Sequence, residues 1–140
     1  AAARAGELIG VFPEATMSRS LEIKELKNGA VRMAREAEVP LIPMIVFGGH
    51  RVLSYDVRDF TRGRTICMTI GRPMTINDDV DEMTHALRST LSELLDQTIQ
   101  RYPDKPPGAP WIPQRHGGSA PSLEEAARIE EQRRAAREPK

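Results

Sequence analysis

The run Val39-Pro40-Leu41-Ile42-Pro43-Met44-Ile45-Val46-Phe47 carries no polar side chain. It is too short and too proline-marked for a helix, and too continuously apolar for a strand with one face in water. A strand covered on both faces fits, as in parallel sheets, with Pro40 at its entry and Pro43 at a bulge or edge position. A strand of that kind needs helices packed on its sheet, so the chain reads as an α/β layer protein. The run is about half the length that a membrane-spanning helix requires.

The flanking segments repeat that logic. Leu8, Ile9, Val11 and Phe12 predict a short opening strand. Leu21 to Glu38 reads as an amphipathic helix, with Ile23, Leu26, Ala30, Met33, Ala34 and Ala37 at helical spacing and Ser18 or Ser20 as its N-cap. Gly48-Gly49 ends the apolar run, and Thr65 to Ile70 predicts another strand stopped by Gly71-Arg72-Pro73. Asp78, Asp79, Asp81 and Glu82 favour the start of a long helix through its dipole. Val80, Met83, Leu87, Leu91, Leu94, Leu95 and Ile99 form its apolar face, and Pro103 stops it after Tyr102.

Three parts follow: residues 1–102 as a partial α/β domain, 103–121 as a Pro/Gly-rich strap anchored by Trp111, and 122–140 as a charged helical or disordered tail. Ser122-Leu123-Glu124-Glu125 has the spacing of a capping box. The chain opens at Ala1 one strand before its most informative motif, and is read as the C-terminal half of a larger layer domain. Such a half would expose an apolar sheet edge and be poorly soluble by itself.

Charge excludes some functions. Twenty basic residues balance twenty acidic ones, which leaves no overall field to hold nucleic acid. Cys67 is the single cysteine, so an intrachain disulfide is impossible, and its apolar context reads as a small buried hydrophobe. The Cys/His clusters of a zinc site are missing, and no metal is expected.

The candidate chemistry lies in Phe12-Pro13-Glu14-Ala15-Thr16-Met17-Ser18-Arg19-Ser20, between the opening strand and the first helix. The carboxyl end of a strand is where open α/β sheets bind ligands. Thr16, Ser18 and Ser20 offer hydroxyls, Arg19 a fork suited to phosphate, and a following helix free N–H groups. Glu14 is either a surface carboxylate or part of this site. Lys27 is either a solvent-facing charge or a neighbour of the ligand's phosphate. Arg62, Arg64 and Arg72 form a solvated face, or a contact for phosphate groups or an anionic membrane.

Phe12-Pro13-Glu14-Ala15-Thr16-Met17-Ser18 resembles the Phe-Pro-Glu-Gly-Thr-Arg-Ser block of the glycerolipid acyltransferases, the 1-acyl-glycerol-3-phosphate acyltransferase family. Lys27-Asn28-Gly29-Ala30 and Val39-Pro40-Leu41-Ile42-Pro43 resemble its next blocks at family spacing, and Gly71-Arg72-Pro73 adds to the match. The resemblance covers residues 6 to 102. Ala109-Pro110-Trp111-Ile112-Pro113 is similar to a strap in actinobacterial-type members. Ala15 stands where the family has Gly, so its turn is expected to avoid positive φ. Met17 stands where the family has a phosphate-binding Arg, a role open to Arg19.

The resemblance implies acyl transfer from acyl-CoA or acyl-carrier protein to a lysophosphatidic acid hydroxyl, without a cofactor. It implies an acceptor site at Glu14, Thr16, Ser18, Arg19 and Lys27, and an acyl-donor side at Pro43 and Met44. It also implies a peripheral place on the cytoplasmic face of the membrane. The family's base is a His with an Asp five residues on. Neither His50, followed by Tyr55, nor His85, followed by Thr90, nor His116, followed by Pro121, has that pattern. All three read as surface or loop histidines, and the catalytic pair is expected upstream. Two alternatives stay open: a non-catalytic fragment or ligand-binding module, and an acyltransferase for another lipid or glycolipid acceptor.

Overall fold

A computed structural model describes residues 2–136. It is a mixed α/β arrangement of three helices and a two-stranded ribbon: α1 (Gly29–Ala37), β1 (Met44–Phe47), β2 (Cys67–Ile70), α2 (Val80–Arg101) and α3 (Leu123–Ala135). The charged tail thus forms α3 as far as Ala135; residues 137–140 lie outside the described residues.

The core is built on α2. Asp79 caps it, its carboxylate accepting the Glu82 N–H at 2.9 Å, and Asp81 and Glu82 occupy the first turn. Met83, Leu87, Leu91, Leu94, Leu95 and Ile99 are buried along one face, as the spacing predicts. That face meets Ile45 and Phe47 of β1, Val31 of α1 and Ile112 of the 103–121 segment. Each such side chain contributes roughly 1.5–3 kcal/mol by leaving water. On the same buried side of the helix the Thr98 hydroxyl donates to Leu94 O at 2.6 Å and pairs with the Thr69 hydroxyl of β2 at 2.7 Å.

The ribbon corrects the reading of the Val39–Phe47 run. β1 and β2 are antiparallel, with Met44 opposite Ile70 and Phe47 opposite Cys67. Burial alternates, so Ile45 and Phe47 face α2 while Met44 and Val46 are exposed. An unbroken apolar run does not distinguish a doubly covered strand from one whose second face is simply apolar. Beyond Met44 the pairing continues through a Leu41–Met74 bridge. Ile42-Pro43 there faces Gly71-Arg72-Pro73, one residue more, which makes a bulge. Cys67 is half-buried on the inner face of β2 rather than fully buried.

Two further expectations give way. Residues 7–12 form no strand, and Leu8 and Phe12 are 95% and 92% exposed, because no neighbouring backbone pairs with them among the described residues. The helix expected over 21–38 is confined to α1. Leu21 has φ 59°, which a right-handed helix cannot contain, and residues 22–28 form no helix. Ile23 and Leu26 still point at the core, so their spacing is satisfied without a helix. Neither Ser18 nor Ser20 caps α1, whose N-cap is Asn28.

Residues 103–121 fold as an ordered double loop. Gly108 N donates to Gly117 O at 2.8 Å and Ala120 N to Ile112 O at 3.1 Å, while Ala109, Ile112, Pro113 and Ala120 are buried. Gly118 lies so close to the Ile112 carbonyl that no Cβ fits there. α3 opens on a complete capping box, with Ser122 and Glu125 each accepting the other's backbone N–H.

Candidate functional site

The motif is a turn folded back on the non-helical segment that follows it. Phe12 O accepts the Ala15 N–H at 3.1 Å, and Pro13 O accepts the Lys27 N–H at 2.8 Å. Ala15 takes φ 60°, contrary to the expectation that Ala would avoid it; the turn imposes the left-handed conformation that glycine adopts freely.

Glu14 and Thr16 are brought together by Lys24. The Glu14 carboxylate accepts the Lys24 backbone N–H at 3.0 Å, and the Thr16 hydroxyl accepts from the Lys24 ammonium at 2.8 Å. Burial raises the Glu14 carboxyl above its usual range, although the Lys24 N–H and charge pull the other way. Ser18 and Ser20 pair their hydroxyls at 2.8 Å, and Ser20 Oγ accepts the Glu22 N–H at 3.3 Å. The hydroxyls are thus spent largely on local turns.

Arg19 points to Asp56, donating at 2.7 Å, and stacks on Tyr55 with Cζ 4.1 Å from the ring centroid. Asp56 also takes Arg133 of α3 at 3.0 Å. Lys27 is exposed and lines an open cleft against the first turns of α2, with Asn28, Asp81, His85 and Arg88. Pro43 and Met44 belong to the ribbon: Pro43 is buried, its carbonyl accepting the Gly71 N–H at 2.8 Å, and Met44 is exposed. Arg64 pairs with Asp59, while Arg62 and Arg72 are exposed.

The C-terminal third reaches the same segment through charge. Lys24 contacts Glu130, and Arg115 joins Glu22 and Asp96, each at 2.5 Å. Asp96 also accepts from His116 Nε2 at 2.8 Å. Burial pushes the Asp96 carboxyl up, but its bonds to Arg115 and His116 outweigh this and hold it below the usual range.

A second cluster went unread in the sequence. Arg51 is buried, bonded to the Tyr102 hydroxyl at 3.0 Å, paired with Asp104 at 2.6 Å and stacked over Trp111 at 4.2 Å. His50 packs edge-on against Phe47 and donates from Nε2 to Trp111 O at 3.0 Å. Trp111 is therefore an anchor for its loop, and the only hint of its partner was a charge beside Gly48-Gly49. His50 and His116 lie in connecting loops, half-buried and hydrogen-bonded, and His85 is exposed on α2. Among the described residues no group of three or more His, Cys, Asp or Glu is placed to hold a metal. No described helix is long and apolar enough to cross a membrane.

The Phe12–Ser20 motif lies in the first third of the chain. The acyltransferase family model matches residues 1–47, the stretch that holds it. A protein of Mycoplasma pneumoniae, a probable 1-acyl-sn-glycerol-3-phosphate acyltransferase, is 43% identical to this chain over 49 residues. The match covers 34% of this chain and 18% of that relative's length. No solved structure matches the chain.

Proposed function

We propose that this protein is a phospholipid-biosynthesis acyltransferase that moves a fatty acyl group from acyl-CoA or acyl-carrier protein to the hydroxyl of lysophosphatidic acid. The observation that carries the reading is the Phe12–Ser18 block, inside the matched stretch and folded so that Glu14, Thr16 and Lys24 converge. In this reading Glu14 and Thr16 shape the acceptor pocket, and Ser18, Arg19 and Lys27 serve its phosphate. The acceptor oxygen attacks the thioester carbonyl, the thiolate leaves, and the hydroxyl proton passes to a base. No His among the described residues has the family's Asp at the required spacing, so the base is assigned to a His–Asp pair outside them.

The acyl-donor side is assigned to Pro43 and Met44. The ribbon's outward face supports this: Met44, Val46, Met68 and Ile70 are each about half exposed or more and form one apolar surface. That surface also supports a peripheral seat on a membrane, in this reading on its cytoplasmic face; the reading involves no nucleic-acid partner and no cofactor. The lack of a family-type His–Asp pair favours, as the second reading, a ligand-binding module without catalysis. Met17 and Ala15, where the family block has Arg and Gly, favour a different lipid acceptor.

The test is transfer from palmitoyl-CoA to lysophosphatidic acid by the protein expressed from its whole reading frame, with a neutral monoacylglycerol as the competing acceptor. Transfer to the phosphate-bearing acceptor, reduced by roughly tenfold or more in kcat/KM on Glu14→Ala, is the expected result. Preference for the neutral acceptor would move the assignment to another lipid. No transfer to either would leave the binding module.

A further inference from the structure

The Lys24 ammonium is shared between two parts of the chain. Thr16 Oγ1 accepts from it at 2.8 Å, and the Glu130 carboxylate takes it between both oxygens, at 3.1 and 3.2 Å. Thr16 belongs to the motif; Glu130 arrives from α3, 106 residues further along the chain. The three donors of the ammonium thus face one hydroxyl and one carboxylate.

α3 rests lightly on the body. Of its 13 residues only Ala126 is buried, and its ties to this region are two ion pairs, Lys24–Glu130 and Arg133–Asp56. Glu130 and Arg133 are three residues apart on the helix and so share a face. Their partners meet in the motif region as well, since Asp56 also holds Arg19. Exposed and half-exposed ion pairs contribute little individually and weaken with salt. A helix held this way is easily displaced by a stronger ligand for the same cation.

We propose that Lys24 is an anion-binding residue of the motif and that α3 is a latch which masks it, with the Glu130 carboxylate occupying the place of a phosphate monoester. This rests on the reading of the motif as an anionic-ligand site and adds its regulation. A phosphate monoester brings about −1.5 to −2 charges and three acceptor oxygens where Glu130 brings one charge and two. It therefore competes well for Lys24 and Thr16. Its entry expels Glu130, and because Arg133 lies one turn away on the same face, the Asp56 contact loosens with it. The segment from Glu14 to Lys27 is then open to ligand.

The experiment is amide hydrogen exchange of residues 123–136 during titration with inorganic phosphate, against chloride at equal ionic strength. Binding is measured alongside on the wild type, Glu130→Gln and Lys24→Met. Phosphate is expected to raise exchange in α3 more than chloride does. Glu130→Gln should bind phosphate roughly twofold to fivefold tighter, the shift that loss of one half-exposed ion pair releases, and Lys24→Met should abolish the phosphate effect. Arg133→Gln, which leaves Lys24 and Glu130 in place, should raise α3 exchange in the same direction.

Phosphatidylcholine vesicles with and without lysophosphatidic acid separate a lipid headgroup from a soluble phosphate as the source of the anion. Equal effects of phosphate and chloride, with no response to the lysophosphatidic acid vesicles, would overturn the latch, as would Glu130→Gln binding phosphate no tighter than wild type. These readouts need no turnover. A protein inactive toward lysophosphatidic acid whose α3 still yields to phosphate keeps the latch and loses the proposed reaction. An active one whose α3 never responds keeps the reaction and loses the latch.

Discussion

The guanidinium of Arg19 is bonded to the carboxylate of Asp56, Nη1 to Oδ2 at 2.7 Å, across 37 residues of sequence. The Arg19 side chain is only 9% exposed, so the fork that would suit a phosphate is held inside the protein by a carboxylate and the Tyr55 ring. Its bond to Arg19, and then that to Arg133, hold the Asp56 carboxyl below its ordinary value of 3.8. Because the folded value is the lower one, the contribution is complete above 3.8 and is lost as pH falls through the folded value. Thermal melts of the wild type should therefore decline with acid in that range more steeply than those of Asp56→Asn. Parallel curves would show that the pair adds nothing to the pH dependence.

Tyr102→Phe isolates one atom of the buried cluster. The Tyr102 hydroxyl donates to Thr65 O at 2.9 Å and accepts from Arg51 Nη1 at 3.0 Å, while its ring packs edge-on against Phe47. Removing the oxygen leaves a carbonyl and a buried guanidinium N–H without this partner, at a cost of about 1–3 kcal/mol. Denaturant unfolding should record that loss with an unchanged m-value.

Ala15→Gly should stabilise the protein. A Cβ at φ 60° costs about 1–2 kcal/mol relative to the right-handed region. Part of the gain is offset by the greater freedom of glycine in the unfolded chain, leaving an increase of about 0.5–1 kcal/mol. Chemical denaturation of the two proteins measures it directly, and a decrease would mean that the turn relaxes out of the left-handed region.

His50 should make stability depend on pH near neutrality. Burial lowers its value below 6.5, with the Arg51 charge acting in the same sense, although the Trp111 carbonyl opposes them. The native protein therefore favours neutral His50, and the unfolded chain takes up a proton first. This stability is present above 6.5 and is lost as pH falls through the lower folded value. Denaturation midpoints measured between about pH 8 and 5 should fall with acid, and His50→Gln should flatten that fall.

How much of this was legible follows from the range over which each signal acts. α2 was readable in full because its cap, its acidic first turn, its apolar stripe and Pro103 all lie within the element or beside it. The Ser122–Glu125 box likewise announces α3 from four adjacent residues. Glu14 and Thr16 were visible as a motif, and they do converge, but through Lys24, whose sequence context shows only a charge.

Tertiary structure decided the rest. Residues 22–28 form no helix although their spacing suits one: Glu14 takes the Lys24 N–H, Pro13 takes that of Lys27, and Ile23 is buried just as well without helical turns. The Val39–Phe47 run became one side of an antiparallel ribbon because its partner was β2, and apolarity alone specifies neither partner nor direction. Arg19 with Asp56, Arg51 with Tyr102 and Lys24 with Glu130 are set by packing across tens of residues. Capping and periodicity are local interactions written residue by residue. A charge states its sign in the sequence, whereas its partner is fixed only when the fold brings the two together.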